Sequence, residues 1–196
     1  MSYQQLLQRL VCLGLVVLLL AGCGGAQVDD SPEALFVVYD GFEDQEYGEP
    51  RTILEGKGVV VTVASSSSDV VIGHEGTEVQ PDELLSDVRG DDYDAIVFVG
   101  GYGYERDDVE AQRIVQEAVA EGKVVAAICI APITLAKAKV VEDKRVTGSI
   151  LTKIQLERAG ATFTRAPIER DGIIITAYGP SASREFGETI AAALEE

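Results

Sequence analysis

"KVVAAICIAP", Lys123 to Pro132, decides the fold. Five apolar residues, Val124 to Ile128, run without a polar break into Cys129, and Ala131-Pro132 then reads as the start of a helix. Continuous rather than alternating hydrophobicity marks a strand buried on both faces, hence a parallel sheet covered by helices. The same signature recurs in "LFVVYD" (Leu35 to Asp40), "VVVTVAS" (Val59 to Ser65) and "AIVFVGG" (Ala95 to Gly101). Amphipathic stretches lie between and after them. In "DDVEAQRIVQEAVAEG", Ala111, Ile114, Val115, Ala118 and Val119 share one helical face. Asp107 or Asp108 is placed to cap its start and Gly122 its end. "LTKIQLERAG" reads as a shorter helix closed by Gly160, and a last helix after "GPSAS" buries Phe186, Ile190, Ala193 and Leu194. The βαβ alternation predicts an α/β fold, a flavodoxin-like three-layer sandwich with a mainly parallel central sheet.

In such sheets ligands bind beyond the carboxyl ends of the strands. Three features converge there: the acidic turn after Leu35 to Asp40, the Gly100-Gly101 turn, and Cys129. Pro132 suits a first helical turn, where its missing N–H is no loss. The positive end of that helix favours thiolate over thiol. A strand-to-helix elbow also leaves backbone donors beside the side chain, expected to be the N–H groups of Gly101 and Ile130, able to hold an oxyanion. Against this stands the plain reading that a free cysteine often only packs. "GFEDQEYGEP" places Glu43, Asp44, Glu46 and Glu49 within seven residues. Most of these read as acids at a helix N-terminus. Gly48 and Pro50 break or kink a helix there, which can aim one carboxylate at the site without local sequence saying which. No recurring ligand spacing points to a metal, and "GGYGY" lacks the spacing of a dinucleotide loop.

Residues 1–22 read as a secretory signal: Arg9, a short apolar run from Leu10, and small residues before Cys23. "LAGC" resembles a bacterial lipoprotein lipobox, which implies cleavage before Cys23, lipidation of its thiol and a lipid anchor to a membrane of the cell envelope, the outer membrane favoured. Residues 23–34 then form a tether and 35–196 one domain. Cys12 leaves with the signal, so Cys129 is the free thiol of the mature chain. The formal charge of -17 repels nucleic acid and anionic headgroups, so neither is an expected partner.

"GFEDQE", a "GG" after a strand, "AICIAP" and "DGIIITAYGPSASREFGETIAAAL" together resemble the DJ-1/PfpI family, in that order and over about residues 35–195. The resemblance implies Cys129 as nucleophile, Glu46 as its paired acid, and Gly101 and Ile130 as oxyanion donors. It implies no cofactor or metal, and a homodimer. Many members carry His directly after the cysteine, where this chain has Ile130; others carry one near "VTGS", where Ser149 stands. His74, the single histidine, reads as a loop or hairpin residue. A Cys–His–acid hydrolase needs an imidazole, so peptidase chemistry of that kind is not expected. Glu46, a water, or a hydroxyl such as Tyr178 or Ser149 is left to move protons.

Two functions follow from the resemblance. In one, Cys129 adds to a small reactive carbonyl such as methylglyoxal, in glyoxalase or deglycase fashion. In the other, the thiol is a redox sensor or the domain a chaperone-like stress protein, with an oxidant as partner.

Overall fold

The computed structural model describes residues 31–196; the expected signal segment and Cys23 lie outside the described residues. Seven strands form the main sheet. They are β1 (Glu33–Val37), β2 (Val60–Ser65), β5 (Glu83–Leu84), β6 (Ala95–Phe98), β7 (Val124–Ile128), β10 (Ile168–Asp171) and β11 (Ile174–Ala177). Their order is β10-β11-β7-β6-β1-β2-β5. Every pairing is parallel except the terminal β10–β11 hairpin. Two small two-stranded sheets lie outside it: β3 (Val71–Ile72) with β4 (Glu78–Val79), and β8 (Arg145–Val146) with β9 (Thr162–Phe163).

The five residues of β7 are all buried, as the run of apolar residues requires. Alternate residues enter opposite layers. Leu35 and Val37 join Val125 and Ala127 in a core with α2 (Val109–Ala120), α3 (Pro132–Lys137) and α4 (Lys153–Arg158). Ala34 and Phe36 join Val124, Ala126 and Ile128 in a second core, under α1 (Asp44–Gly56) and α5 (Ser183–Leu194). Each buried valine, leucine, isoleucine or phenylalanine among these contributes about 1.5–3 kcal/mol, and a strand that feeds both cores cannot slip register without reversing every side chain. Cys129 packs against both cores, because it sits where the sheet ends between its two helical layers.

Several element boundaries differ from the sequence reading. The first strand begins at Glu33, inside the stretch assigned to the tether, and it ends at Val37, because Asp40 and Gly41 turn away to meet the hairpin at Ile72. On α2, Asp108 is the cap, accepting from the N–H groups of Glu110 (2.8 Å) and Ala111 (3.2 Å), while Asp107 pairs with Lys137. On α5, Ala191 is buried, whereas Ala193 and Leu194 are only partly covered near the end of the chain.

Pro50 and Gly48 do not break α1, which runs from Asp44 to Gly56 with Pro50 inside it. Pro50 instead faces α5. A Cβ at Gly187 would lie 2.7 Å from Pro50 Cα and 3.0 Å from Ile53 Cδ1, so the two helices approach at a point that admits no side chain. Gly187→Ala is therefore expected to lower Tm, by about 1–3 kcal/mol of overpacking, despite alanine's advantage in a free helix of about 1 kcal/mol. A thermal melt that rises in the variant would show that the helix pair separates at no cost.

Candidate functional site

The chain crosses from the β2 side of β1 to the β6 side, so the carboxyl ends of β1, β6 and β7 meet at the switch point of the sheet. Each delivers one part of a single site.

From β7 comes Cys129, with φ of 61°. A side chain in this left-handed region costs roughly 1–2 kcal/mol, so the turn must be held from outside. The Cys129 N–H donates to Ala177 O (3.0 Å) on β11, and Cys129 O accepts from Ser149 N–H (2.6 Å). The bend turns the thiol off the strand axis and brings the Ile130 N–H against the sulfur.

From β6 comes the Gly100-Gly101 turn. The bridge between Phe42 and Gly101 is closed by Glu43 N–H to Gly100 O (3.0 Å) and Tyr102 N–H to Gly41 O (3.1 Å). That pattern leaves the Gly101 N–H outside the ladder. Gly101 and Ile130, singled out from sequence as oxyanion donors, both line the same pocket as Cys129.

From the loop after β1 comes α1, whose first turn carries Glu46. Its side chain is fully buried. Oε2 accepts from the Gly100 N–H (3.0 Å), while Oε1 is buried without a partner of hydrogen-bonding geometry. A carboxyl with one such oxygen is best satisfied by holding a proton on it. Burial, with a smaller push from the Glu43 charge, carries Glu46 up to about 8, against the opposing Cys129 and Gly100 contacts. A Cβ at Gly100 would lie 2.6 Å from Glu46 Oε2 and 2.8 Å from Cys129 Cβ. The acid and the thiol thus close around a glycine that no other residue can replace. Glu46 reaches this place from the first turn of a continuous helix, ahead of Pro50. The other acids serve elsewhere: Asp44 accepts from Glu75 N–H (2.7 Å) and Thr77 N–H (3.0 Å), Glu49 from Gln45, and Glu43 lines the pocket.

The expectation that a helix N-terminus lowers the thiol's pKa is not met. The helix that follows, α3, is six residues long. Burial, then the adjacent Glu46 carboxyl, push Cys129 up to about 12; the Ile130 N–H offsets only part of this. Thiol and carboxyl therefore act as a pair. At neutral pH the pair is mostly fully protonated, and its first proton leaves near the carboxyl's pKa.

The pocket over this pair measures about 320 Å³. Tyr102, Arg106, Ser149, Leu151 and Pro180 complete its walls. Ser149 mainly braces the elbow, its Oγ accepting from Leu151 N–H (3.4 Å). Tyr178, half-exposed, does not line the pocket. His74 sits in the turn between β3 and β4, its N–H donating to Phe42 O (2.8 Å). Its ring packs on Tyr102 with centroids 4.9 Å apart, so the single imidazole touches a wall residue without lining the pocket itself. Arg106 was not singled out from sequence, since an arginine within "YERDD" looks like one more neutralised surface charge. Among the described residues no group of three His, Cys, Asp or Glu side chains is placed to hold a metal, and no helix is long and apolar enough to cross a membrane.

A model of the DJ-1/PfpI family matches residues 32–193. Protein dj-1beta of Drosophila melanogaster is 30% identical over 165 residues, which cover 82% of this chain and 88% of that one. Deglycase PfpI of Pyrococcus furiosus is 31% identical over 148 residues, covering 74% and 89%. The crystal structure of a ThiJ/PfpI domain protein from Brachyspira murdochii matches with a TM-score of 0.81 at 29% identity, over 84% of this chain and 97% of that one.

The raised carboxyl makes two predictions. Glu46 binds its proton more tightly folded than unfolded, so its contribution to stability is complete below pH 4.5 and declines as pH rises toward about 8. Glu46→Gln, which keeps the shape of the protonated acid, should gain on wild type across that window by at most about 1.4 kcal/mol per pH unit and stay level above it; melts that run parallel at every pH would mean that the carboxyl is not held neutral. The same variant removes the negative neighbour from the thiol, so alkylation of Cys129 by iodoacetamide at pH 9–10 should be severalfold faster than in wild type. Equal rates there would uncouple the two groups.

Proposed function

The chain belongs to the DJ-1/PfpI family, and from that premise we propose that it is a cysteine enzyme acting on small reactive carbonyls, in glyoxalase or deglycase fashion. The single observation that carries this reading is the buried Glu46 carboxyl against Cys129, under a pocket that Gly101 and Ile130 also line. Relatives named as deglycases support it.

The working form is the pair with one proton removed. As sulfur bonds to the aldehyde carbon of a 2-oxoaldehyde, the carbonyl oxygen gathers charge within reach of the Gly101 and Ile130 donors and takes the pair's remaining proton. The Glu46 carboxylate then removes the hydrogen from C1 and returns it to C2, while the C1 hydroxyl proton passes to the C2 oxygen. The product is a 2-hydroxy thioester. Water cleaves its C–S bond, releasing the 2-hydroxy acid and restoring the pair. Methylglyoxal plus water thus becomes lactate plus a proton, with no net oxidation. General acid–base transfer of this kind contributes typically 10²–10⁴-fold, and one oxyanion donor about 2.7–4 kcal/mol.

A thiol that senses peroxide needs a readily formed thiolate. Burial of Cys129 works against one at neutral pH, whereas carbonyl addition can proceed with proton transfer inside the pair. For this reason the enzyme reading is preferred to the redox sensor. The proposal includes a homodimer in solution and, from residues outside the described ones, a lipid anchor at Cys23 that holds the domain at a membrane of the cell envelope.

Purified protein is expected to convert methylglyoxal to lactate, with kcat rising as pH approaches 8. Cys129→Ala should abolish turnover and Glu46→Gln should lower kcat by about 10²–10⁴-fold. Undiminished lactate formation by Cys129→Ala would sink the reading.

A further inference from the structure

Arg106 lines the pocket over Cys129, and among the described residues lining that pocket it is the one cation. Its guanidinium makes no ion pair or hydrogen bond with any described residue. In a chain with 33 acids and 16 bases, a solitary arginine is unexpected, and three acids lie within two residues of it. Each is committed elsewhere. Glu105 accepts from Ser66 Oγ (2.7 Å). Asp107 pairs with Lys137. Asp108 caps α2 and accepts from the Tyr39 hydroxyl (3.1 Å). The loop thus spends its own negative charge on the scaffold and leaves one positive charge at the pocket. The opposing charge on the wall is Glu43, which forms no ion pair with Arg106. Glu46 lies buried beneath the pocket floor, accepts from the Gly100 N–H and forms no ion pair with Arg106.

We infer that Arg106 binds the negative end of the substrate, so that the pocket selects small carbonyls bearing a carboxylate at the end away from the reacting aldehyde. This rests on the carbonyl reading above and adds the substrate class. A 2-oxoaldehyde with a terminal carboxylate, such as 4,5-dioxopentanoate, meets the requirement. Its aldehyde reaches Cys129, its carboxylate is met by a guanidinium suited to bidentate contact, and addition of one water yields 2-hydroxyglutarate by the same proton movements. A neutral carbonyl of equal size lacks the second contact. An otherwise strongly negative protein repels anions, so an anion that does react must be met by a local positive charge.

The decisive experiment reads the charge preference of the thiol without requiring turnover. Cys129 is alkylated with iodoacetate and with iodoacetamide. In each, sulfur bonds to the methylene carbon, iodide leaves and the thiol proton passes to solvent, so the reagents differ chiefly in charge. The iodoacetate-to-iodoacetamide rate ratio is expected to fall by about ten-fold in Arg106→Ala, the effect of one charge contact in a partly solvated site. It should be largely kept in Arg106→Lys, rise in Glu43→Gln, and shrink in wild type as salt is added. A ratio indifferent to residue 106 overturns the inference. In parallel, kcat/KM is measured for 4,5-dioxopentanoate and methylglyoxal, and Arg106→Ala should depress the first about ten-fold more than the second, through KM. If neither carbonyl is turned over while the alkylation ratio still depends on Arg106, the carbonyl reading falls and the anion contact stands; if both are turned over with no such dependence, the reverse holds.

Discussion

At the carboxyl end of β6, the Gly100 N–H donates to a carboxyl oxygen that is sealed from water. Much of the local architecture answers to that contact. Burying an acid is tolerable only if it stays neutral or is hydrogen-bonded, and Glu46 does both, one oxygen accepting and the other free to carry a proton. The glycine that donates must also be small enough to let Cys129 approach from the far side. The cysteine in turn needs a left-handed backbone, which the neighbouring strand β11 and the Ser149 loop hold in place. A helix, three strands and a loop from five parts of the chain are fixed relative to one another by a few hydrogen bonds.

The sheet was legible because its central strands are buried on both sides, so that Val124 to Ile128 admit no other reading. The short outer pairs were not. β3, β4, β8 and β9 have two residues each, too few for periodicity to register, and they form because neighbouring segments offer them backbone partners. The β10–β11 hairpin escaped notice for a different reason: Glu169 and Arg170 give its edge strand a polar sequence, which suits an edge and hides a strand.

The site was legible in part. Cys129 stands out as a thiol at the end of an apolar strand, and its neighbour Ile130 follows from geometry alone. Glu46 could not be told from Glu43, Asp44 or Glu49 by local sequence; the family resemblance picked it out, and the packing supplies the reason, since it is the acid of that block that points into the core. The expected lowering of the thiol's pKa failed because an argument from the positive end of the following helix overlooked how much burial costs a sulfur anion. Arg106 escaped because its isolation depends on where Glu105, Asp107 and Asp108 turn, which is a property of the folded loop.

The clamp between Asp44 and the β3–β4 turn has a consequence of another kind. Asp44 begins the same helix that carries Glu46, and the turn it grips presents His74 to Tyr102 on the pocket wall. The entrance and the acid therefore ride on one body. A displacement of that turn is therefore passed to the helix that carries the proton-holding group below, so reshaping of the mouth is freest where this clamp has no hold, on the stretch of rim that Leu151 presents.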